Sequence, residues 1–200
     1  MSTSDQPACV IIVEGSSDQV ALETLARRRG YDLERNGIVI VPIGGAHAID
    51  RVLSQYGRAG RKVRLAGLCD LNEEDKFRRG LERAGMGADL TRAQMERLGF
   101  FVCVEDLEDE LIRALGVEAV ERILDEQGDL RAFRSLQQQP AQQGKAVQAQ
   151  QRRFIGAHSG HKAKYARALV EALDLNQIPR PLAGVLEYAL RPFSPSTADR

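Results

Sequence analysis

Residues 8–18 read ACVIIVEGSSD, an apolar run that ends in Glu14 and Gly15 and leads within one helical turn to Asp18. Three further short apolar runs follow at residues 38–43, 63–69 and 100–104. Each run is too short for a helix, is rich in Val, Ile or Phe, and precedes a stretch with helical spacing. Strands buried on both faces of a parallel sheet have this pattern. We therefore predict an α/β fold with a four-stranded parallel sheet flanked by crossover helices.

Length and composition indicate one well-buried domain with a small addition. The chain has 200 residues, of which 43% are hydrophobic, which suffices for one core. Because the alternation of strand and helix ends near residue 128, we predict a catalytic domain at 1–128 and a helical C-terminal extension at 129–200. Residues 137–151 contain eight glutamines and little apolar surface, so we expect them to form a mobile connection.

Charge, targeting signals and cysteines exclude several classes of protein. Lys plus Arg equal Asp plus Glu at 28 each, so the overall charge exerts no long-range attraction on a polyanion. Neither a signal peptide nor a spanning helix is indicated, and we expect a cytoplasmic protein without a membrane partner. The three cysteines lie singly in apolar runs, which is typical of core thiols rather than zinc sites or disulfides.

Three clusters of basic residues are candidates for contact with nucleic acid. They lie at residues 27–29, 58–64 and 152–153. Charge runs of this size are also common on ordinary solvated surfaces, so the sequence leaves both interpretations open.

Acidic residues follow the first strand, and the carboxyl ends of parallel strands are where such folds bind ligands. Glu14 would be held on a rigid element, while Gly15 would allow a backbone or ligand to approach closely. Asp18 shares the predicted helical stripe of Leu22 and Leu25, where an acid costs stability unless it is paired or binds a cation. Its other interpretation, as a first-turn acid that complements the helix dipole, stays open.

Two more acidic segments follow the third and fourth strands. In an extended segment, Asp70 and Asn72 would present oxygen ligands to one ion, with Glu73 supplying further charge. Glu73 is equally explained as a first-turn helix acid. Residues 105–108, which include Glu108, add carboxylates at a neighbouring strand end. Acids gathered at one edge repel each other unless cations intervene, which predicts a site for two divalent ions that act on a phosphodiester.

Candidate phosphate-binding groups occur in two places. Gly44 and Gly45 at the start of a helix could form an anion nest, although a tight strand-to-helix turn also explains them. Residues 156–162 are only a near miss to a P-loop, because His161 replaces the second glycine and no buried strand precedes them. Lys162 instead falls in the first turn of a helix, where a cation opposes the dipole, and this favours a role in stabilising phosphate charge.

These segments together resemble the toprim domain, above all the toprim half of the overcoming-lysogenization-defect (OLD) nuclease family. The resemblance covers roughly residues 8–115 and is carried by VEGSSD at 13–18, Gly44-Gly45, Asp70-Leu71-Asn72 and Asp106-Leu107-Glu108-x-x-Leu111. In addition, Lys162-x-x-x-Ala166 is similar to that family's late lysine motif.

The resemblance implies a Rossmann-like toprim fold and a metal-dependent endonuclease, a hydrolase of phosphodiester bonds that acts on DNA more than on RNA. Glu14 and Lys162 would be catalytic, with Mg²⁺ or Mn²⁺ as the cofactor. The implied metal ligands are Glu14, Asp18, Asp70, Glu73 and Glu108, and Asn72 completes the predicted set.

Two departures from the family pattern bear on this expectation. The family usually has Asp-x-Asp where this chain has Asp70-Leu71-Asn72, which weakens the expected second ion site. The family also usually carries an amino-terminal ABC-type ATPase, whereas about seven residues precede the first predicted strand here. Any ABC/AAA-type ATPase is therefore expected to be a separate partner, or absent.

Two other functions are compatible with the sequence. The toprim maturase of ribosomal RNA also carries a Glu-Gly element followed by an acid, which keeps an RNA-processing nuclease open. The other is a non-catalytic module that binds metal or nucleotide and docks on an ATPase or effector. The neutral net charge favours this module, because a free-standing nuclease usually needs a basic surface.

Overall fold

The computed structural model describes residues 6–44, 48–56, 63–157 and 161–192. Its strands are β1 (Cys9–Val13), β2 (Ile38–Pro42), β3 (Arg64–Cys69) and β4 (Phe100–Val102). They form one parallel sheet in the order β2, β1, β3, β4. The predicted four-stranded parallel sheet is confirmed, and the four apolar runs of the sequence are its strands.

Helices flank the sheet on both faces. In chain order they are α1 (Ser16–Arg28), α2 (Ile49–Tyr56), α3 (Glu74–Arg83), α4 (Arg92–Arg97), α5 (Leu107–Leu115), α6 (Val117–Glu126), α7 (Leu130–Gln137), α8 (Val147–Gly156), α9 (His161–Ala172) and α10 (Arg180–Leu190). Short 3-10 helices also lie at Leu71–Glu73 and Pro140–Gln142. In the described parts of the chain, no helix has the length and apolar character needed to cross a membrane.

Helix α4 was not predicted from the sequence. It has six residues, fewer than two full turns, so its apolar spacing gives no periodic signal. A capping box defines its start, because Thr91 accepts a hydrogen bond from the N–H of Gln94 and the Gln94 side chain accepts one in return.

The central strand β1 separates two hydrophobic clusters, because alternate residues of a strand point to opposite faces. Val10 and Ile12 pack with α2 and α3 on one face. Ile11 and Val13 pack with α1 and the C-terminal helices on the other. Since β1 pairs with both β2 and β3, the strand order reverses beside it, and the carboxyl ends of β1 and β3 are neighbours.

The C-terminal helices pack against the face of the sheet that α1 covers. Phe133, Tyr165 and Leu186 belong to the same cluster as β1 and α1. At the far end of α1, the guanidinium of Arg28 donates hydrogen bonds to the carbonyls of Val170 and Leu173 at 2.8 and 2.7 Å, beside the end of α9. The boundary near residue 128 stays a prediction, although the helices beyond it share this core.

The glutamine-rich stretch differs from the expected mobile connection. It takes in the end of α7, a 3-10 turn and the first half of α8. Gln142, Gln150 and Gln151 are buried. Nε2 of Gln150 donates to the carbonyl of Gln142 at 2.8 Å, and Nε2 of Gln151 donates to that of Val117 at 3.0 Å. Backbone carbonyls thus accept hydrogen bonds from two of the three buried glutamine side chains, which helps the stretch to pack despite its composition.

Candidate metal centre

The adjacent carboxyl ends of β1 and β3 bring two predicted ligands together. Glu14 follows β1 and Asp70 follows β3. The backbone N–H of Asp70 donates a hydrogen bond to Oε1 of Glu14 at 2.6 Å. The N–H of Leu71 donates to the carbonyl of Glu105 at 3.1 Å, which joins the segments after β3 and β4. Acidic segments that are distant in sequence therefore share one edge of the sheet.

Asp18 reaches this edge from the first turn of α1. The backbone N–H of Gly15, which precedes the helix, donates to Oδ2 of Asp18 at 2.9 Å. Asp18 is buried together with Leu22 and Leu25, which confirms the predicted stripe. Its carboxylate thus closes the start of the helix and also lies within electrostatic reach of Glu14.

Burial and mutual repulsion oppose the ionisation of these carboxyl groups. Burial, with repulsion from Glu14 and Glu108, raises the pKa of Asp18 to about 7. Burial, with repulsion from Glu14 and Asp18, raises the pKa of Asp70 to about 8. Burial also raises the pKa of Glu14, against the effect of the hydrogen bond from Asp70. A cation bound among these groups would relieve the repulsion.

Helices α5 and α9 add a buried acid and a lysine. Glu108, in the first turn of α5, is buried, and its Oε1 lies 3.4 Å from Nζ of Lys162. Burial opposes the charge of Lys162, but the carboxylates of Glu108, Asp106 and Asp70 outweigh it and raise the lysine pKa. The ammonium group is therefore charged at neutral pH and belongs to the same edge, in the first turn of α9 as the sequence predicted.

Arg152 is a second cation at this edge, and the sequence did not place it there. Its Nε lies 2.6 Å from Oδ2 of Asp106, and its Nη1 lies 3.4 Å from Oε2 of Glu105. In the sequence Arg152 was only part of a basic cluster. No local pattern could have linked it to Asp106, because the two lie 46 positions apart on α8 and at the start of α5.

Comparison with known families identifies the segment that carries Glu14, Asp18 and Asp70. Residues 8–71 match the family model described as Overcoming lysogenization defect protein-like, TOPRIM domain. This segment is similar to an OLD-like toprim domain. No curated protein sequence matches the chain.

Solved structures extend the likeness in fold beyond the toprim segment. The C-terminal region of the Burkholderia pseudomallei OLD protein is 19% identical, with a TM-score of 0.70 over 92% of this chain and 97% of that chain. The C-terminal region of the Xanthomonas campestris pv. campestris OLD protein is 22% identical, with a TM-score of 0.68 over 92% of each chain. At such identities these structures establish a shared fold alone.

One element of the toprim site differs from the prediction. Asp70 is extended, but Leu71–Glu73 is a 3-10 helix, closed by the N–H of Glu73 donating to the carbonyl of Asp70 at 3.0 Å. Asn72 is exposed on this turn. The expectation of an extended segment with Asp70 and Asn72 on one side was wrong, because the chain turns directly into α3. Coordination of a metal by Asn72 stays a prediction.

Glu73 remains near the toprim acids but is engaged locally. Its two carboxylate oxygens lie 3.0 and 2.7 Å from Nζ of Lys76, one turn further along. Its charge nevertheless contributes to the raised pKa of Glu14. Glu73 is thus both the helix-start acid that the sequence allowed and a neighbour of the candidate ligands.

The predicted phosphate nest is described only in part. Gly44 has a φ of +68°, and its N–H donates to the carbonyl of Glu14 at 2.9 Å. That N–H therefore serves the turn after β2. Gly45 lies outside the described residues. The nest at Gly44 and Gly45 therefore stays a prediction.

The donors of the toprim edge suit a hard divalent ion, since carboxylate oxygens are the ligands such ions prefer. They do not form a finished coordination shell. Within the described ranges, no three His, Cys, Asp or Glu side chains converge closely enough to hold one ion. Glu14 and Asp18 direct an oxygen at backbone N–H groups, and Glu108 lies against Lys162. Ion binding therefore requires a rearrangement that brings oxygens of these side chains closer together.

Proposed function

We propose that this chain is a divalent-metal-dependent endonuclease that hydrolyses phosphodiester bonds of DNA. The observation that carries the proposal is the contact between Glu14 and Asp70, which puts carboxylates from two strands at one edge together with Asp18, Glu108 and the charged Lys162. The match of residues 8–71 to the OLD-like toprim family supports the same chemistry.

The acidic edge would hold Mg²⁺ or Mn²⁺, in a two-ion site. Its proposed ligands are Glu14, Asp18, Asp70, Asn72, Glu73 and Glu108. Bound ions supply an activated water and stabilise the leaving oxygen. The raised pKa values of Glu14, Asp18 and Asp70 support this role, because burial and mutual repulsion both oppose ionisation and a bound cation would relieve the repulsion.

Lys162 would stabilise negative charge on the phosphate. Its side chain is about half exposed while its partner Glu108 is buried, so the ammonium can reach a substrate. A charged donor held beside a reacting phosphate lowers the free energy of the transition state. Gly44 and Gly45 would contact a neighbouring phosphate.

Cleavage of supercoiled plasmid in Mg²⁺ or Mn²⁺ tests this function. The cleavage rate should fall at least a hundredfold in each of the variants Glu14→Ala, Asp70→Ala and Lys162→Ala. The first two remove a proposed ion ligand, and the third removes the cation that would stabilise charge on the phosphate. Glu23→Ala and Lys145→Ala, which change exposed residues away from the edge, should leave the rate within about twofold of the unsubstituted protein. Cleavage undiminished by Glu14→Ala or Asp70→Ala contradicts the assignment.

A non-catalytic module is the second candidate, and the exposed Asn72 in place of the family's aspartate favours it. It would bind metal at the acidic edge and dock on an effector. Calorimetry that detects Mn²⁺ binding, together with no turnover of DNA or RNA, identifies this function. RNA cleaved in preference to DNA would identify an RNA-processing nuclease.

An ATPase of the ABC/AAA type is the proposed protein partner. The support is the family likeness of residues 8–71. Co-purification of this chain with an ATPase from its own cell, and stimulation of DNA cleavage by ATP, would bear this out.

A further inference from the structure

A groove lies on the outer side of the edge strand β4, bounded by α4, α5 and the start of α10. Its volume is about 410 Å³. The lining side chains on which the argument depends are Arg92, Arg113, Arg180, Phe101, Val104 and Pro179. Three guanidinium groups and the carboxylates of Glu96 and Glu110 therefore surround a partly apolar floor.

The arginines of this groove lie above their acidic partners. The side chain of Arg92 is 43% exposed and that of its partner Glu74 is 16% exposed. For Arg180 and its partner Glu96 the exposed fractions are 78% and 20%. Each ion pair is neutral in sum, but the surface presents the guanidinium. The exposed charged groups around the groove are therefore mainly guanidinium groups, although the acids paired with them balance their charge.

Arg113, the third arginine of the groove, is likewise far more exposed than an acid with which it is paired. The side chain of Arg113 is 47% exposed, whereas that of Glu110 beneath it is 6% exposed. Glu110 is held from the other side, because its Oε1 accepts a hydrogen bond from the N–H of Val104 at 2.8 Å. Arg113 thus stands over a fixed and buried acid at the wall of the groove.

Helix α5 contributes residues to both the groove and the candidate metal centre. Asp106 at the start of α5 pairs with Arg152, and Asp109 one turn later pairs with Arg113 at 2.7 Å. The charge of Asp109 also contributes to the raised pKa of Arg152. Val104, half exposed, lies between the groove and the acidic residue 105. An arginine paired with an acid at or near the start of α5 therefore lies at the acidic edge, and another lies at the groove.

We propose that this groove binds a single strand of DNA beside the cleaved phosphate, with the arginines on the backbone and the apolar floor under a base. A cavity of about 410 Å³ is at the small-ligand end of protein pockets and cannot admit a double helix. Exposed guanidinium groups over apolar surface are the chemistry that single strands require. The proposal rests on the proposed function, because it takes the acidic edge as the place of cleavage.

The test measures fluorescence anisotropy of labelled single-stranded and double-stranded oligonucleotides in EDTA, so that no cleavage occurs. The double variant Arg92→Ala/Arg180→Ala should bind the single strand at least tenfold more weakly. It should also lower the slope of log affinity against log salt by about 1.4, or about 0.7 for each lost phosphate contact. Val104→Glu should weaken binding of the single strand as well. The double Arg→Lys variant should recover part of the affinity.

Arg134→Ala is the matched control, since Arg134 is 50% exposed over a Glu121 that is 23% exposed, away from the groove. An unchanged salt slope in the double variant overturns the proposal. An equal loss of single-strand affinity in Arg134→Ala does so too. The proposal also fails if duplex DNA binds as tightly as the single strand and loses as much affinity in the double variant. Cleavage is scored separately. If the groove arginines are needed for binding but no cleavage occurs, single-strand binding by the groove is supported and the proposed nuclease activity is contradicted. If cleavage occurs but binding does not depend on these arginines, the nuclease activity is supported and binding by the groove is contradicted.

Discussion

Asp70 is the residue at which burial and charge conflict most clearly. Its pKa is raised to about 8, first by burial and then by Glu14 and Asp18. In the folded, metal-free protein it therefore holds a proton more tightly than in the unfolded chain. A group of this kind stabilises the fold below its unfolded pKa, and the contribution is lost as the pH rises through the folded value.

Asp70→Asn should flatten the pH dependence of stability in metal-free buffer. Between pH 5 and 8 the free energy of unfolding of the original chain should fall more steeply, by up to about 1.4 kcal/mol per pH unit. Urea denaturation at several pH values with a chelator present measures both slopes. Asp75→Asn, an exposed position on α3, should keep the original slope. Equal slopes for the Asp70 variant and the original chain would refute the account.

At the scale of elements, close contact between α10 and β4 fixes one wall of the groove. A Cβ added at Gly184 on α10 would lie 2.3 Å from the ring of Phe101 on β4. Only glycine lets the helix approach the strand this closely. The same contact sets where the start of α10, with Pro179 and Arg180, meets the groove.

Gly184→Ala should destabilise the fold by about 1 to 3 kcal/mol, because the Phe101 ring must move away from the helix and lose its present contacts. Gly156→Ala is the helical control. Its added Cβ would meet Lys162 Cε at an ordinary 3.8 Å, so it should be neutral or slightly stabilising. Chemical denaturation of both variants gives the two free energies. A neutral Gly184→Ala would show that the helix and strand can separate without cost.

At the scale of the whole molecule, the acidic edge couples ion binding to folding. Its acids come from segments that meet only when β1, β3 and α5 are in place. An ion that binds the folded edge and not the unfolded chain must stabilise the fold by mass action. Such stabilisation is independent of any catalytic turnover.

Saturating Mn²⁺ should therefore raise the melting temperature, by roughly 5 to 10 °C at a hundredfold excess over the dissociation constant. Glu108→Gln, which keeps the shape of a buried side chain and removes its charge, should abolish most of the increase. Glu118→Gln, at an exposed position of α6, should retain it. Thermal melts with Mn²⁺ and with EDTA provide the comparison, and an increase that persists in Glu108→Gln would place the ion elsewhere.

Much of the fold followed from the sequence, because the signals are local. Short runs of Val and Ile bounded by glycine and acids indicate strands, and helical spacing marked most of the helices. Parallel strands place their carboxyl ends at one edge, so the meeting of Glu14 and Asp70 was also predictable. These features depend on periodicities of a few residues.

What the sequence by itself determined is thus the parallel sheet and the acidic edge at its strand ends. Tertiary structure alone decided the position of Arg152 beside Asp106, the burial of Gln151 against Val117, and the exposure of arginines above acids around β4. The physical reason is that these features depend on contacts between residues far apart in the chain. Burial and its effect on charge become defined only when the elements pack.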